Sequence, residues 1–116
     1  MKPPLYIYVD VDETLVHKDA NEEEHPKTKV VEHVCDLHRQ GTILYCWSNG
    51  GEDHARTWAQ KLGIERCFTA FLHKPQVFID DELAAEWPHF VHVAPEKLGT
   101  LDQYRAAVEA KKDGEK

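Results

Sequence analysis

An apolar run, Leu5-Tyr6-Ile7-Tyr8-Val9, leads directly into Asp10-Val11-Asp12-Glu13-Thr14. A β-favouring segment that ends in two carboxylates constrains this chain more than any other stretch. Alternation along an extended backbone sends Asp10 and Asp12 to the same side, so both address one small volume. Paired carboxylates there suit a hard, oxygen-liganded cation such as Mg²⁺, or a nucleophile beside a general acid/base. A strand-ending turn also uses Asp and Thr, for backbone reasons alone. The pentapeptide therefore has to be weighed with the rest of the chain.

Beyond it, helical and extended patterns alternate. Glu13 to Lys29 is polar and reads as an exposed loop or small hairpin. Val30 or Val31, Val34, Cys35 and Leu37 fall at helical spacing, and the segment ends at Gln40-Gly41, with a glycine where helices stop. Thr42 to Trp47 is a nearly continuous apolar run, which predicts a strand buried on both faces. Ser48-Asn49-Gly50-Gly51 breaks it. Ala55, Trp58, Ala59 and Leu62 then form one stripe of a helix over Asp53 to Leu62, closed by Gly63. Cys67–Leu72, Val77–Ile79 and Phe90–Val93 predict three more strands, and Leu83–Trp87 a single helical turn before Pro88. Thr100 is placed to cap a last helix with Gln103 as its capping-box partner, turning Leu101, Tyr104 and Val108 inward.

This order predicts an α/β fold: a three-layer, Rossmann-like parallel sheet of about five strands with helices on both faces. Residues 1–110 form one domain, followed by a charged, flexible tail at 111–116. Right-handed crossovers bring the carboxyl ends of all strands to one edge, where open α/β sheets bind ligands. The candidate chemistry falls on that edge. Asp10 and Asp12 follow the first strand, Ser48 and Asn49 the second, and Asp80 and Asp81 the fourth, with Lys74 just ahead of it.

In that order these residues resemble the motifs of the haloacid dehalogenase-like superfamily, most of whose members are Mg²⁺-dependent phosphohydrolases. Asp10-x-Asp12-x-Thr14 is similar to the first motif, Ser48 after Trp47 to the second, Lys74 to the third, and Asp80-Asp81 to the fourth. Glu13 departs from the pattern, since many members have Gly there. The resemblance implies that Asp10 attacks phosphorus and forms an aspartyl-phosphate, and that Asp12 serves as general acid and then base. It implies Mg²⁺ held by the Asp10 side chain, the Asp12 carbonyl and a fourth-motif carboxylate. By analogy Asp81 is the direct ligand and Asp80 stands behind it or reaches through water. Ser48 and the Asn49 amide would bind phosphoryl oxygens, Lys74 would balance charge and orient Asp10, and Thr14 would support the loop. The acid at Asp12 favours phosphoryl over dehalogenase chemistry, because a halide leaves without a proton.

The family's cap domains are inserted after the first motif or between the second and third. Here both gaps are too short for one, which predicts a capless enzyme with an open site. Such a site suits a macromolecular substrate, or a small one enclosed by the Glu13–Lys29 loop or by a neighbouring subunit in a homo-oligomer. A protein phosphatase, a polynucleotide-end phosphatase and a catalytically silent phosphate- or metal-binding module are the alternatives to small-metabolite hydrolysis.

Composition narrows the field. A chain of 116 residues supports one core without staples. No apolar run approaches the roughly 18 residues of a membrane span, and no signal peptide opens the chain, so the expected location is cytoplasmic. A net charge of −7 argues against a surface that coats nucleic acid. The odd cysteine count, with Cys46 and Cys67 inside apolar runs, predicts small buried thiols. His33, Cys35 and His38 do not converge on one helix face, which argues against zinc. His17, His54, His73 and His89 are read as surface histidines that a pocket rim could recruit. Glu22-Glu23-Glu24 is read as a solvated loop tip that would repel polyanions if it reached the mouth of the site.

Overall fold

The opening apolar run forms β1, Tyr6–Asp10, in the computed structural model of the chain, which describes residues 2–114. After it come β2, Val16–Lys18, and β3, Glu24–Pro26, then α1, Thr28–Arg39. Next are β4, Ile43–Ser48, and α2, Glu52–Lys61. Then come β5, Ala70–His73, and, after a long irregular stretch, α3, Leu101–Gly114. The chain divides after Pro75 into two compact units, and each is described by itself.

In the first unit β1, β4 and β5 form a parallel sheet in that order. Tyr8 pairs with Tyr45 and Asp10 with Trp47, while Ser48 pairs with His73. All three strands therefore end on one edge, as expected. Sequential order with right-handed crossovers puts α1 and α2 on the same face. Burial agrees: Val9, Leu44, Cys46 and Phe71 are enclosed on that face, under Val30, Val34 and Leu37 of α1 and Ala55 and Ala59 of α2. Each large aliphatic side chain among them contributes roughly 1.5–3 kcal/mol through burial.

The other face of the same strands carries Tyr6, Tyr8, Tyr45, Trp47 and Leu72. Tyr8 packs on Tyr45 and Trp47 at ring-centroid distances of 4.9 and 4.7 Å, yet 46% of Tyr8 stays exposed. The expectation of helices on both faces is thus met on one face of this unit. β4 is likewise enclosed on one side only. Its apolar run hid an alternation, because the half-covered face is lined by amphipathic aromatics that tolerate contact with water.

The polar segment is a small hairpin, with β2 and β3 antiparallel and His17 opposite His25. α1 ends where the sequence predicts, and Gly41 at φ 88° supplies the left-handed residue beyond it. Leu15 and Val16, which connect the first motif to the hairpin, are fully buried and anchor both. Cys35, Cys46 and Cys67 are free thiols. Burial, with the Asp10 charge second, pushes the Cys46 thiol up to about 12, so this thiol stays protonated and inert.

The second unit departs further from expectation. Val77–Ile79 and Phe90–Val93 form no strand. Val77, Phe78 and Ile79 leave 77%, 54% and 98% of their surface exposed. A run of only three apolar residues after Pro75 and Gln76 has β-propensity, but propensity acts only where a partner edge supplies the packing. The Ala84–Glu86 turn before Pro88 forms as predicted, and Trp87 packs against Phe78 and Phe90. The capping box of α3 is complete: the Thr100 N–H donates to Gln103 Oε1 at 2.8 Å, and the Gln103 N–H donates to Thr100 Oγ1 at 3.1 Å. Lys111, expected in a flexible tail, is helical, and its Nζ donates to the carbonyls of Ala85 and Phe90 at 3.3 and 2.5 Å. Positions 115 and 116 of that tail lie outside the described residues. No described helix is long and apolar enough to cross a membrane.

Candidate active site

Asp10 stands at the carboxyl end of β1 and Lys74 one residue past β5, and the two meet across the sheet edge. Lys74 Nζ lies 3.4 Å from Asp10 Oδ1, with 28% of the Asp10 side chain and 30% of the Lys74 side chain exposed. Backbone geometry fixes this meeting. The Lys74 N–H donates to the Ser48 carbonyl at 3.0 Å, which ties the exit of β5 to the exit of β4.

Beyond Asp10 the chain turns tightly. The Val11 carbonyl accepts the N–H groups of Thr14, Leu15 and Val16 at 3.1, 2.8 and 3.2 Å. Such a turn needs a left-handed residue, and it falls on Glu13 at φ 60°. A non-glycine residue there costs about 1 kcal/mol or more. The Glu13 side chain offsets the strain. Its Oε2 bonds His17 Nδ1 at 2.9 Å, its Oε1 accepts the Lys18 N–H at 3.1 Å, and its carbonyl accepts Lys27 Nζ at 3.2 Å. These bonds fasten the hairpin to the motif loop. Between them lies a cleft of about 220 Å³ lined by Asp12, Glu13, Val16, Lys18 and Glu24. Glu24 of the acidic run thus borders the same cleft as Asp12.

Asp12 points its carboxylate at α2. His54 Nε2 is 3.2 Å from one Asp12 oxygen and 3.4 Å from the other. Sequence reasoning left His54 among the surface histidines, although it stands six residues past Ser48 on the first turn of a helix that starts at the sheet edge. Ser48 is fully enclosed, and its Oγ accepts the Gly50 N–H at 2.9 Å, which leaves the hydroxyl proton to donate. Asn49 is exposed. Gly51, at φ 101°, starts α2 in a conformation that disfavours side chains. Thr14 is half-buried in the motif turn.

Asp80 and Asp81 belong to the second unit and stand on irregular chain, both exposed. Asp80 Oδ1 accepts the Glu82 N–H at 2.9 Å and closes a local turn. The expectation that these two follow a strand is therefore corrected.

The hairpin also gathers Asp19, Glu23 and His25, whose donor atoms lie within 4.8 Å of one another. Asp19 Oδ1 accepts the N–H groups of Asn21 and Glu23, and its Oδ2 bonds His25 Nε2 at 2.7 Å. Sequence reasoning missed this cluster. Its signal was a hairpin register that places His25 beside the loop Asp. The His25 bond first, and the Glu23 N–H next, hold the Asp19 carboxyl below its ordinary value of 3.8. The His17 bond, followed by the Lys18 N–H, does the same for Glu13 against 4.5. A depressed carboxyl contributes stability above its ordinary value and loses it as pH falls through the lowered one. Acidification below the ordinary carboxylate range is therefore expected to unfasten the hairpin while the sheet persists. Amide exchange at Lys18 and Glu23, whose N–H groups these carboxylates accept, should accelerate ahead of exchange at Leu44 and Cys46. Simultaneous loss at all four would refute a local clasp.

No family model, curated protein or solved structure matches the chain. The functional reading rests on the motif residues and on the geometry of the sheet edge.

Proposed function

We propose that this chain is a capless, Mg²⁺-dependent phosphohydrolase of the haloacid dehalogenase-like type. One observation carries the reading: Asp10 ends β1 with Lys74 Nζ 3.4 Å from its carboxylate, on the edge where three parallel strands end, and Asp12 comes two residues later. A phosphate monoester repels an anionic nucleophile, and a cation at that distance eases the approach. Asp10 would attack phosphorus in line, breaking the bond to the leaving oxygen and forming an aspartyl-phosphate. Asp12 would give its proton to that oxygen, then take one from the water that cleaves the intermediate. The Ser48 hydroxyl and the Asn49 amide would hydrogen-bond the transferring oxygens.

Carboxylate and carbonyl oxygens are the donors that a hard cation takes. Asp10 and the Asp12 carbonyl would hold Mg²⁺, joined in this proposal by Asp81 directly and Asp80 behind it. When bound, it supplies charge neutralisation at the phosphoryl oxygens. Rossmann-like layering and a cytoplasmic location with reduced thiols belong to the same proposal.

A screen of phosphorylated metabolites, nucleotides and phosphopeptides tests it. Phosphate release should require Mg²⁺, stop on chelation and be opposed by Ca²⁺, whose looser coordination fits in-line geometry poorly. Asp81→Ala should raise the Mg²⁺ concentration for half-maximal activity more than Asp80→Ala. The reverse ranking exchanges their roles. Hydrolysis indifferent to chelators, or no hydrolysis of any ester, removes the reading.

A further inference from the structure

We propose that His54 is a positioning residue for Asp12, holding its carboxylate in the orientation that proton transfer needs. The inference rests on the phosphohydrolase reading for what Asp12 does, but the contact stands on its own geometry. His54 Nε2 lies 3.2 Å from Asp12 Oδ2. A carboxyl oxygen without a proton accepts hydrogen bonds, so in the Nε2–H form the ring donates to Asp12 and leaves the other oxygen to hold or take the transferred proton. Asp12 sits on the loop after β1, and 55% of its side chain is exposed. Without a partner, a short side chain there samples several rotamers, only some of which address the same volume as Asp10. His54 stands on α2, a rigid element, and is itself only 34% exposed.

A second observation concerns the space the ring occupies. A Cβ added to Gly50 would meet Cδ2 and Cγ of His54 at 2.9 Å, a separation real Cβ atoms do not adopt. Gly50 thus leaves the imidazole the room from which it reaches Asp12. The same glycine donates its N–H to Ser48 Oγ, so one small residue serves both the ring and the phosphate-binding serine. His54 does not contact the reacting atoms in this scheme. It acts through Asp12, as partners behind catalytic groups commonly do.

The consequence is selective. Proton donation matters most when the leaving alkoxide is strongly basic and little when the leaving group is already acidic. His54→Ala should therefore lower the single-turnover phosphorylation rate about tenfold on an alkyl phosphate, the scale of one charge-assisted hydrogen bond, while staying within about twofold on p-nitrophenyl phosphate. KM and the Mg²⁺ requirement should stay put. His54→Gln, whose amide N–H donates with a similar reach, should recover most of the loss. Gly50→Ala should reproduce the leaving-group selectivity by displacing the ring. Independently of turnover, the His54 ring nitrogens in a ¹H–¹⁵N spectrum should show the Nε2–H form and shift in Asp12→Ala. A His54 signal indifferent to Asp12→Ala would overturn the contact. An active enzyme in which His54→Ala slows the phosphorylation step of both esters alike, or of neither, would overturn the positioning role and leave the phosphohydrolase reading standing. A parent protein inactive on both esters, with the spectroscopic response intact, would overturn that reading and the proton-transfer role together, and retain the contact.

Discussion

Asp10→Asn is expected to abolish turnover while the fold persists. The substitution keeps the size of a side chain that is 28% exposed, so it opens no cavity and strains no neighbour. It removes the carboxylate proposed as nucleophile, and with it the anionic partner of Lys74. An amide cannot form the acyl phosphate, and loss of a covalent nucleophile costs orders of magnitude in rate. Steady-state assays on the best substrate from the screen, with circular dichroism as the folding control, are the measurement. Residual activity above about one per cent of the parent would remove Asp10 from the nucleophile role, since positioning and charge stabilisation alone do not sustain such a rate.

Asp12→Asn should be nearly as damaging, but unevenly so. The proposed metal contact at this position is the backbone carbonyl, which the substitution keeps, so the Mg²⁺ dependence should change little. The proton-transferring group is lost, and a decrease of roughly 10²–10⁴-fold is the scale of general acid–base catalysis. Single-turnover phosphorylation with an acidic leaving group should suffer least, because that step needs little proton donation. Hydrolysis of the phosphoenzyme should suffer with every substrate, because the same carboxylate activates the water. An equal loss of the first step for good and poor leaving groups would contradict the acid role.

The two variants probe residues that the sequence marks plainly, and the reason is physical. An apolar β-favouring run that gives way to polar residues can end a strand in only a few ways, so Asp10 and Ser48 are placeable at strand exits from the sequence alone. Thr100 and Gln103 are legible for the same reason, since a capping box is local chemistry across three residues. Lys74 is legible only through the resemblance, and the structure adds the cause: its amide bonds the Ser48 carbonyl. The features that could not be read depend on distant partners. Val77–Ile79 has the composition of a strand, but composition does not supply an edge to pair with. The half-open face of the sheet was hidden because Tyr45 and Trp47 count as apolar in any pattern. His54 was missed because nothing in the local sequence distinguishes a histidine facing solvent from one facing a carboxylate 42 residues earlier.

The cleft between the motif loop and the hairpin has a consequence for encounter rates. Three of its lining groups are carboxylates, from Asp12, Glu13 and Glu24, against the single ammonium of Lys18, on a chain of net charge −7. An approaching dianion meets repulsion over about a Debye length, the reverse of the steering that speeds association in oppositely charged systems. Added salt should screen that field and, on the phosphohydrolase reading, raise the capture rate, whereas in a steered enzyme it lowers it. An ester already paired with a divalent cation, or bearing an ammonium of its own, reaches this mouth with less opposition than a bare phosphate. On the phosphohydrolase reading, selection among substrates would begin in solution, before any contact is made.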